Sequence, residues 1–221
     1  MKLVYSDYFP PFVLECDRVN VLAIEDGSAY YKLVSEFSSQ CEGHDGGFVL
    51  SENNAILNIS KVAELMSSFV PFEVNTKRLI TKLYSKLETV CSNELYEATI
   101  RLRTAVSDYF SEACSLLNSD TEFNDQTDIK NLFKCFELKF SESGERISDK
   151  VIDYMLNASE LDGRKLFVTV GLLEYMGRSE TELFFRTVTD HKLTLLMFEN
   201  RTPDPMELLN RMTIDEDFCV F

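Results

Sequence analysis

Four carboxylates, Asp120, Glu122, Asp125 and Asp128, fall within nine residues of the sequence, in a run that reads Asp-Thr-Glu-Phe-Asn-Asp-Gln-Thr-Asp. Hard oxygen donors at that density on an irregular segment are what calcium takes, since it gathers about six to eight oxygens from carboxylates, amides and carbonyls. The glycine and the distal glutamate of an EF-hand are absent, so any calcium chemistry here belongs to a different loop. A second reading needs no metal: a solvated acidic loop in which Thr127 or Asp128 caps the next helix. The cations form the other group. Arg78, Lys82 and Lys86 recur every four residues with Lys77 beside them, which places them on one side of a helix, and Lys130 and Lys134 repeat that spacing just after the acidic run. Such a stripe can bind phosphates without reading bases, or it can be the solvated flank of an amphipathic helix.

Several familiar chemistries lack their residues. A phosphate-cradling loop needs glycines and a lysine after a buried strand, whereas Glu25-Asp26-Gly27-Ser28 offers two carboxylates there. Only His44 and His191 are present, neither in the setting of a hydrolase triad or a histidine-rich metal centre. His191 instead suits a helix C-terminus, where it meets the negative end of the dipole. We therefore expect no catalytic activity. The six cysteines contain no C-x-x-C pair and read as reduced thiols, most of them small core residues. The amino-terminal residues lack the apolar run of a secretory leader, and no stretch approaches the ~20 apolar residues of a membrane span. A cytoplasmic protein without membrane association is expected.

The elements that must position these residues are legible in outline. Val19 to Ile24, Lys165 to Val170 and Leu193 to Glu199 are short, apolar and β-branched, as buried parallel strands are. Helical patterns adjoin them at Ser28 to Phe37 and at Ser179 to Asp190, where Ser179 and Glu182 suit a capping box. Leu3 to Phe9 and Phe12 to Glu15 flank Pro10-Pro11 and suit an antiparallel edge pair. Shorter strands are expected at Gly47 to Leu50, Glu137 to Phe140 and Phe218 to Phe221. From Thr76 to Leu117 apolar residues keep helical spacing without a proline, a run that we divide at Cys91-Ser92-Asn93, with Ser92 or Asn93 capping the second helix. That second helix cannot bury Leu95, Leu102, Tyr109 and Leu116 against a head alone, so some of them should meet another protomer. Short helices follow at Asp128 to Phe136 and Ile147 to Leu156. The pattern describes an α/β head with a helical insertion.

The formal net charge is −15, which disfavours nucleic acid as a partner on total charge alone. The charge is polarised, however. Residues 61–90 carry five bases and three acids, and residues 91–125 carry two bases and seven acids. Distant acids are screened beyond a Debye length of about 8 Å at physiological salt, so where the bases lie matters more than the sum.

Six segments together carry a resemblance: LAIEDGSAYYKLV at Leu22 to Val34, PFEVN at Pro71 to Asn75, DTEF at Asp120 to Phe123, KLFVTVG at Lys165 to Gly171, TLLMFENR at Thr194 to Arg201 and DEDF at Asp215 to Phe218. In order, spacing and total length the chain resembles the Csn-two family, the small DNA-end-binding ring protein of type II-A CRISPR systems, in its short form. The resemblance implies a P-loop-NTPase-like parallel-sheet head without a phosphate loop, over residues 1–75 and 146–221. An inserted α-helical leg would span residues 76–145. It further implies a homotetrameric ring, calcium at the head and leg junctions, and double-stranded DNA in the hole, taken up from linear ends. Such a ring would assist the spacer integrase and the Cas nuclease in spacer acquisition, an antiviral defence. On this reading calcium falls to Asp120, Glu122, Asp125 and Asp128, and DNA contact to Lys82, Lys86, Lys130 and Lys134. The rival expectation is an acidic adaptor that binds proteins and no DNA.

Overall fold

The computed structural model describes residues 1–5, 8–124, 128–142 and 144–221. The chain divides into two compact units, Met1–Val74 together with Glu142–Phe221, and Asn75–Ser141.

The first unit is α/β. Its strands are β1 (Lys2–Tyr5), β2 (Phe9–Val13), β3 (Val19–Ile24), β4 (Val49–Glu52), β5 (Ala55–Leu57) and β6 (Ala63–Met66), with α1 (Gly27–Cys41) and the one-turn α2 (Ile59–Val62) between them. A parallel sheet in the order β6-β7-β8-β3-β9 is completed by β7 (Leu166–Val170), β8 (Thr194–Glu199) and β9 (Leu209–Ile214). A smaller antiparallel sheet runs β2-β1-β4-β5. β3 and β8 are central, and every residue of both is buried. Their unbroken apolar runs follow from having both faces covered. On one face Leu22, Ile24, Leu196 and Phe198 share a core with Leu33 and Phe37 of α1 and with Leu3, Phe9 and Leu50 of the antiparallel sheet. The helix α7 (Arg178–Asp190) packs against β3 and β8 and also against α6 (Ile147–Asp162). Asn20 is fully buried in β3 without cost. Its amide donates to the carbonyls of Glu15 (3.0 Å) and Leu195 (2.8 Å), and its Oδ1 accepts from Glu15 N (2.9 Å).

The second unit holds α3 (Lys77–Ser92), α4 (Tyr96–Ser115) and α5 (Ile129–Cys135). Thr76 caps α3, its hydroxyl accepting from Leu79 N at 3.4 Å. α5 is held to α3 by a tilted contact of the Tyr84 and Phe133 rings, with centroids 5.7 Å apart, and by an ion pair from Lys130 Nζ to Glu88 Oε2 at 2.6 Å.

Several local expectations are corrected. Glu137 to Phe140 is not a strand: Glu137 takes a left-handed φ of 48°, and Asn75 engages both backbone groups of Phe140 that a ladder would need. The Asn75 Oδ1 accepts from Phe140 N at 2.9 Å, and its Nδ2 donates to Phe140 O at 3.2 Å. Pro10 and Pro11 lie inside β2 and not in the turn, which β2 tolerates because it is the sheet edge. The last full strand is β9, and the C-terminal residues contribute only a single bridge between Ile214 and Val220. α7 starts from Gly177 with no side-chain cap, and Glu182 pairs with Arg178 at 3.3 Å instead of closing a capping box with Ser179. Likewise α4 starts after Leu95 and not from Ser92 or Asn93, because the chain makes a turn through residues 93–95 before the helix begins. Most of the cysteines are not core residues: Cys16, Cys135 and Cys219 are exposed, Cys91 and Cys114 are half-buried, and Cys41 alone among them packs, half-buried, against the core.

Candidate nucleic-acid interface

Partition of charge between the two units decides where an anion could bind. The helical unit carries nine Lys and Arg against ten Asp and Glu, whereas the α/β unit carries thirteen against twenty-seven. The helical unit is thus close to neutral, and its cations are not opposed by a large local excess of acid. Lys77, Lys82 and Lys86 are exposed along α3, and Lys134 is exposed on the last turn of α5. Lys130 lies on the first turn of α5. Its ammonium is half-buried against Glu88, which compensates its charge and fixes its direction.

The acidic run is less gathered than its composition suggests. Asp120 and Glu122 are exposed, and Asp128 uses Oδ1 to accept from Lys130 N at 3.0 Å, capping α5. Asp125 lies outside the described residues. Among the described residues no group of three or more His, Cys, Asp or Glu comes together as a metal-ligand set.

At the carboxyl edge of the parallel sheet, where ligands bind in many α/β folds, the chain occupies the space with its own side chains. Asp26 caps α1, its Oδ1 accepting from Ala29 N at 2.7 Å, so the helix N-terminus already holds a carboxylate where a phosphate would sit. Asn200 donates to Ile24 O at 2.8 Å, and Thr202 donates to Glu25 Oε1 at 2.7 Å. Glu199, which sequence reasoning passed over, ends β8 in a buried position, and burial pushes its pKa up to about 7, with the nearby Glu174 adding to the effect. Tyr30 donates to Phe198 O at 3.3 Å, and burial together with Glu199 and Glu174 raises its phenol to about 12. Burial, then Glu64, raises the Cys41 thiol to about 12, so it stays neutral and is a poor nucleophile. The only sequence sign of Glu199 was a carboxylate at the end of an otherwise apolar strand.

The sequence matches the family model of the CRISPR-associated protein Cas_Csn2 over residues 40–218. The chain belongs to the Cas_Csn2 family. A crystal structure of Stu0660 of Streptococcus thermophilus shares its fold with a TM-score of 0.55 at 14% identity, covering 97% of this chain and 75% of that chain. No curated protein matches. As a Cas_Csn2 family member the chain is CRISPR-associated, with the mixed α/β architecture of a parallel-sheet domain and helices. Among the described residues, no helix is long and apolar enough to cross a membrane.

Proposed function

We propose that this Cas_Csn2 family member is a non-catalytic, sequence-independent binder of double-stranded DNA that serves spacer acquisition in type II-A CRISPR immunity. On this reading it works as a homotetrameric ring that takes up linear ends and meets the spacer integrase and the Cas nuclease. The observation that carries the reading is the charge partition: a near-neutral helical unit presents Lys77, Lys82, Lys86 and Lys134 to solvent, while most of the negative charge belongs to the α/β unit. A duplex carries about one charge per 1.7 Å, so a few lysines repeated in several copies around it release enough counterions for retention. Acids more than a Debye length away barely oppose this. The non-catalytic part is supported by Asp26 and Glu199, which fill the sheet edge with carboxyl groups and leave no phosphate cradle.

The deciding measurement is retention on linear and closed-circular duplex across a salt series. We expect linear DNA to be retained better, and each change among Lys82→Ala, Lys86→Ala and Lys134→Ala to flatten the logarithmic salt slope by about 0.9. Lys130→Ala completes the set of four, its ammonium pairing with Glu88 at 2.6 Å. An unchanged slope and affinity in the quadruple variant would overturn these assignments, and equal retention of circles would overturn end entry. Calcium rests on the acid content of residues 120–128 and on the family resemblance, and calorimetry on wild type and on Glu122→Ala with Asp125→Ala decides it. The excess acid of the α/β unit favours the adaptor as the second reading, and it becomes the better one if no duplex is retained at low salt.

A further inference from the structure

The chain between β7 and α7, Gly171–Gly177, lies against the carboxyl end of β8 and contains a single turn of 3₁₀ helix, Leu172–Tyr175. Both ends of this strap are fixed. Gly171 N donates to Phe198 O at 2.9 Å, and Gly177 O accepts from Thr181 N at 2.9 Å and from the Thr181 hydroxyl at 3.1 Å. Gly171 takes a left-handed φ of 65°, which glycine adopts without strain, so a bend there costs the chain little. Between its ends the strap is held by the fully buried Leu172 side chain, by Tyr175, whose ring meets Phe69 at 5.8 Å between centroids, and by Leu173 N, which donates to Glu199 Oε1 at 3.3 Å. That last attachment sets the strap on a carboxyl group with 4% of its surface exposed.

We propose that this strap is a proton-linked latch over the carboxyl edge of the sheet: it stays closed on the protonated Glu199 and opens locally, with the sheet intact, as that carboxyl ionises. The groups around Glu199 set the sign. The strap itself contributes Glu174, and α1 contributes Tyr30. Of the neighbouring strands, β3 is followed by Glu25, whose Oε1 accepts from Thr202, and β7 has no ionisable residue. Helix α7 turns Thr181, Phe184, Phe185 and Val188 inward, and none of these ionises in the working range. Burial is the largest influence on Glu199, and Glu174 adds to it; the amides of Leu172 and Leu173 favour the charged form and are outweighed. The carboxyl is thereby raised from 4.5 to about 7 while the strap is closed. Lifting the strap lets water reach Glu199 and carries Glu174 away from it. The open state then holds fewer protons between pH 4.5 and 7, so it is favoured as the pH rises through that window. The opening constant should grow about tenfold per pH unit, about 300-fold in all, and level off above pH 7. An open strap frees Tyr175 from Phe69 and bares the edge at which α/β folds take ligands.

Amide hydrogen exchange of the full chain, followed by NMR from pH 5 to pH 8 and corrected for intrinsic rates, tests this. Protection at Leu173 should fall about tenfold per pH unit up to pH 7 and then level off, while Leu196 in the middle of β8 stays far better protected. In Glu199→Gln the protection at Leu173 should be flat to within about twofold. In Glu174→Gln the levelling should move to lower pH, because one repulsion is gone. The carbon-13 shift of the wild-type Glu199 carboxyl should titrate at the pH where the protection levels off, a reading that requires no variant to fold. Protection at Leu173 equal to that at Leu196 would mean that the strap opens only with the whole unit, and the latch would be overturned. So would a Glu199 carboxyl that titrates near pH 4.5, or a pH dependence at Leu173 that Glu199→Gln leaves unchanged.

Discussion

Glu199→Gln separates the buried carboxyl from every other pH-dependent group in the chain. Glu199 sits at the end of β8 with 4% of its surface exposed, accepts from Leu173 N at 3.3 Å, and has Glu174 and Tyr30 as its charged and titratable neighbours. Burial raises its pKa from 4.5 to about 7. The folded chain thus keeps a proton that the unfolded chain gives up, and unfolding releases that proton between pH 4.5 and 7. The favourable contribution is whole below pH 4.5, falls as the pH rises through that window, and is gone above pH 7. At 1.36 kcal/mol per pKa unit, the swing is about 3 kcal/mol. Glutamine keeps an oxygen for Leu173 N and has no proton to lose. Urea unfolding followed by circular dichroism, on wild type and Glu199→Gln at pH 4 and pH 8, reads the difference directly. The variant should gain about 3 kcal/mol on wild type between the two pH values, a relative shift of roughly 1 M in the urea midpoint. Stability curves that run parallel over that range would refute the reasoning, since all other titrating groups cancel in the comparison.

Two further outcomes follow from single side chains. Asn75→Ala strands both backbone groups of Phe140 and should cost about 1–3 kcal/mol in the helical unit, read as faster hydrogen exchange at the Phe140 amide; exchange unchanged from wild type would count against the role of Asn75. Arg164 donates to the carbonyls of Ser60 and Ala63 at 2.7 Å each and pairs with Glu64 at 3.2 Å, so Arg164→Met should destabilise the α/β unit by about 3 kcal/mol in thermal unfolding, and a loss below ~1 kcal/mol would mean that these bonds are readily replaced by water.

How much the sequence disclosed depended on how many faces of an element are covered. β3 and β8 were legible because burial on both sides requires an unbroken apolar run, and Val-Asn-Val-Leu-Ala-Ile departs from it only at an asparagine whose partners are invisible in sequence. β6 and β9 went unread. They are the two edges of the parallel sheet, so polar residues interrupt Ala-Glu-Leu-Met and Leu-Asn-Arg-Met-Thr-Ile, and neither periodicity survives. The lysine stripe of α3 was legible from spacing alone. The pairing of Lys130 with Glu88 was not, because it depends on how α5 lies on α3. In the acidic run the capping role was legible: Asp128 accepts from a backbone amide at the start of α5, as one of the two sequence readings expected.

A parallel sheet with helices invites the expectation of a nucleotide at its carboxyl edge, and local chemistry here argues against that use of the fold. A phosphate needs unsatisfied amides and positive charge, yet the first turn of α1 is satisfied by Asp26, and Glu25 and Glu199 stand at the ends of adjacent strands. Glu199 remains protonated below about pH 7 because burial penalises its charge, and Glu174 adds to the effect. Restoring phosphate binding would take more than inserting a lysine, since three carboxyl groups would have to leave together. The helical unit is under no such constraint. With nine bases against ten acids it exposes lysines without a large excess of acid in the same unit. In this chain the parallel sheet is a scaffold whose edge is filled with carboxyl groups, and the exposed cations of α3 and α5 belong to the inserted helices.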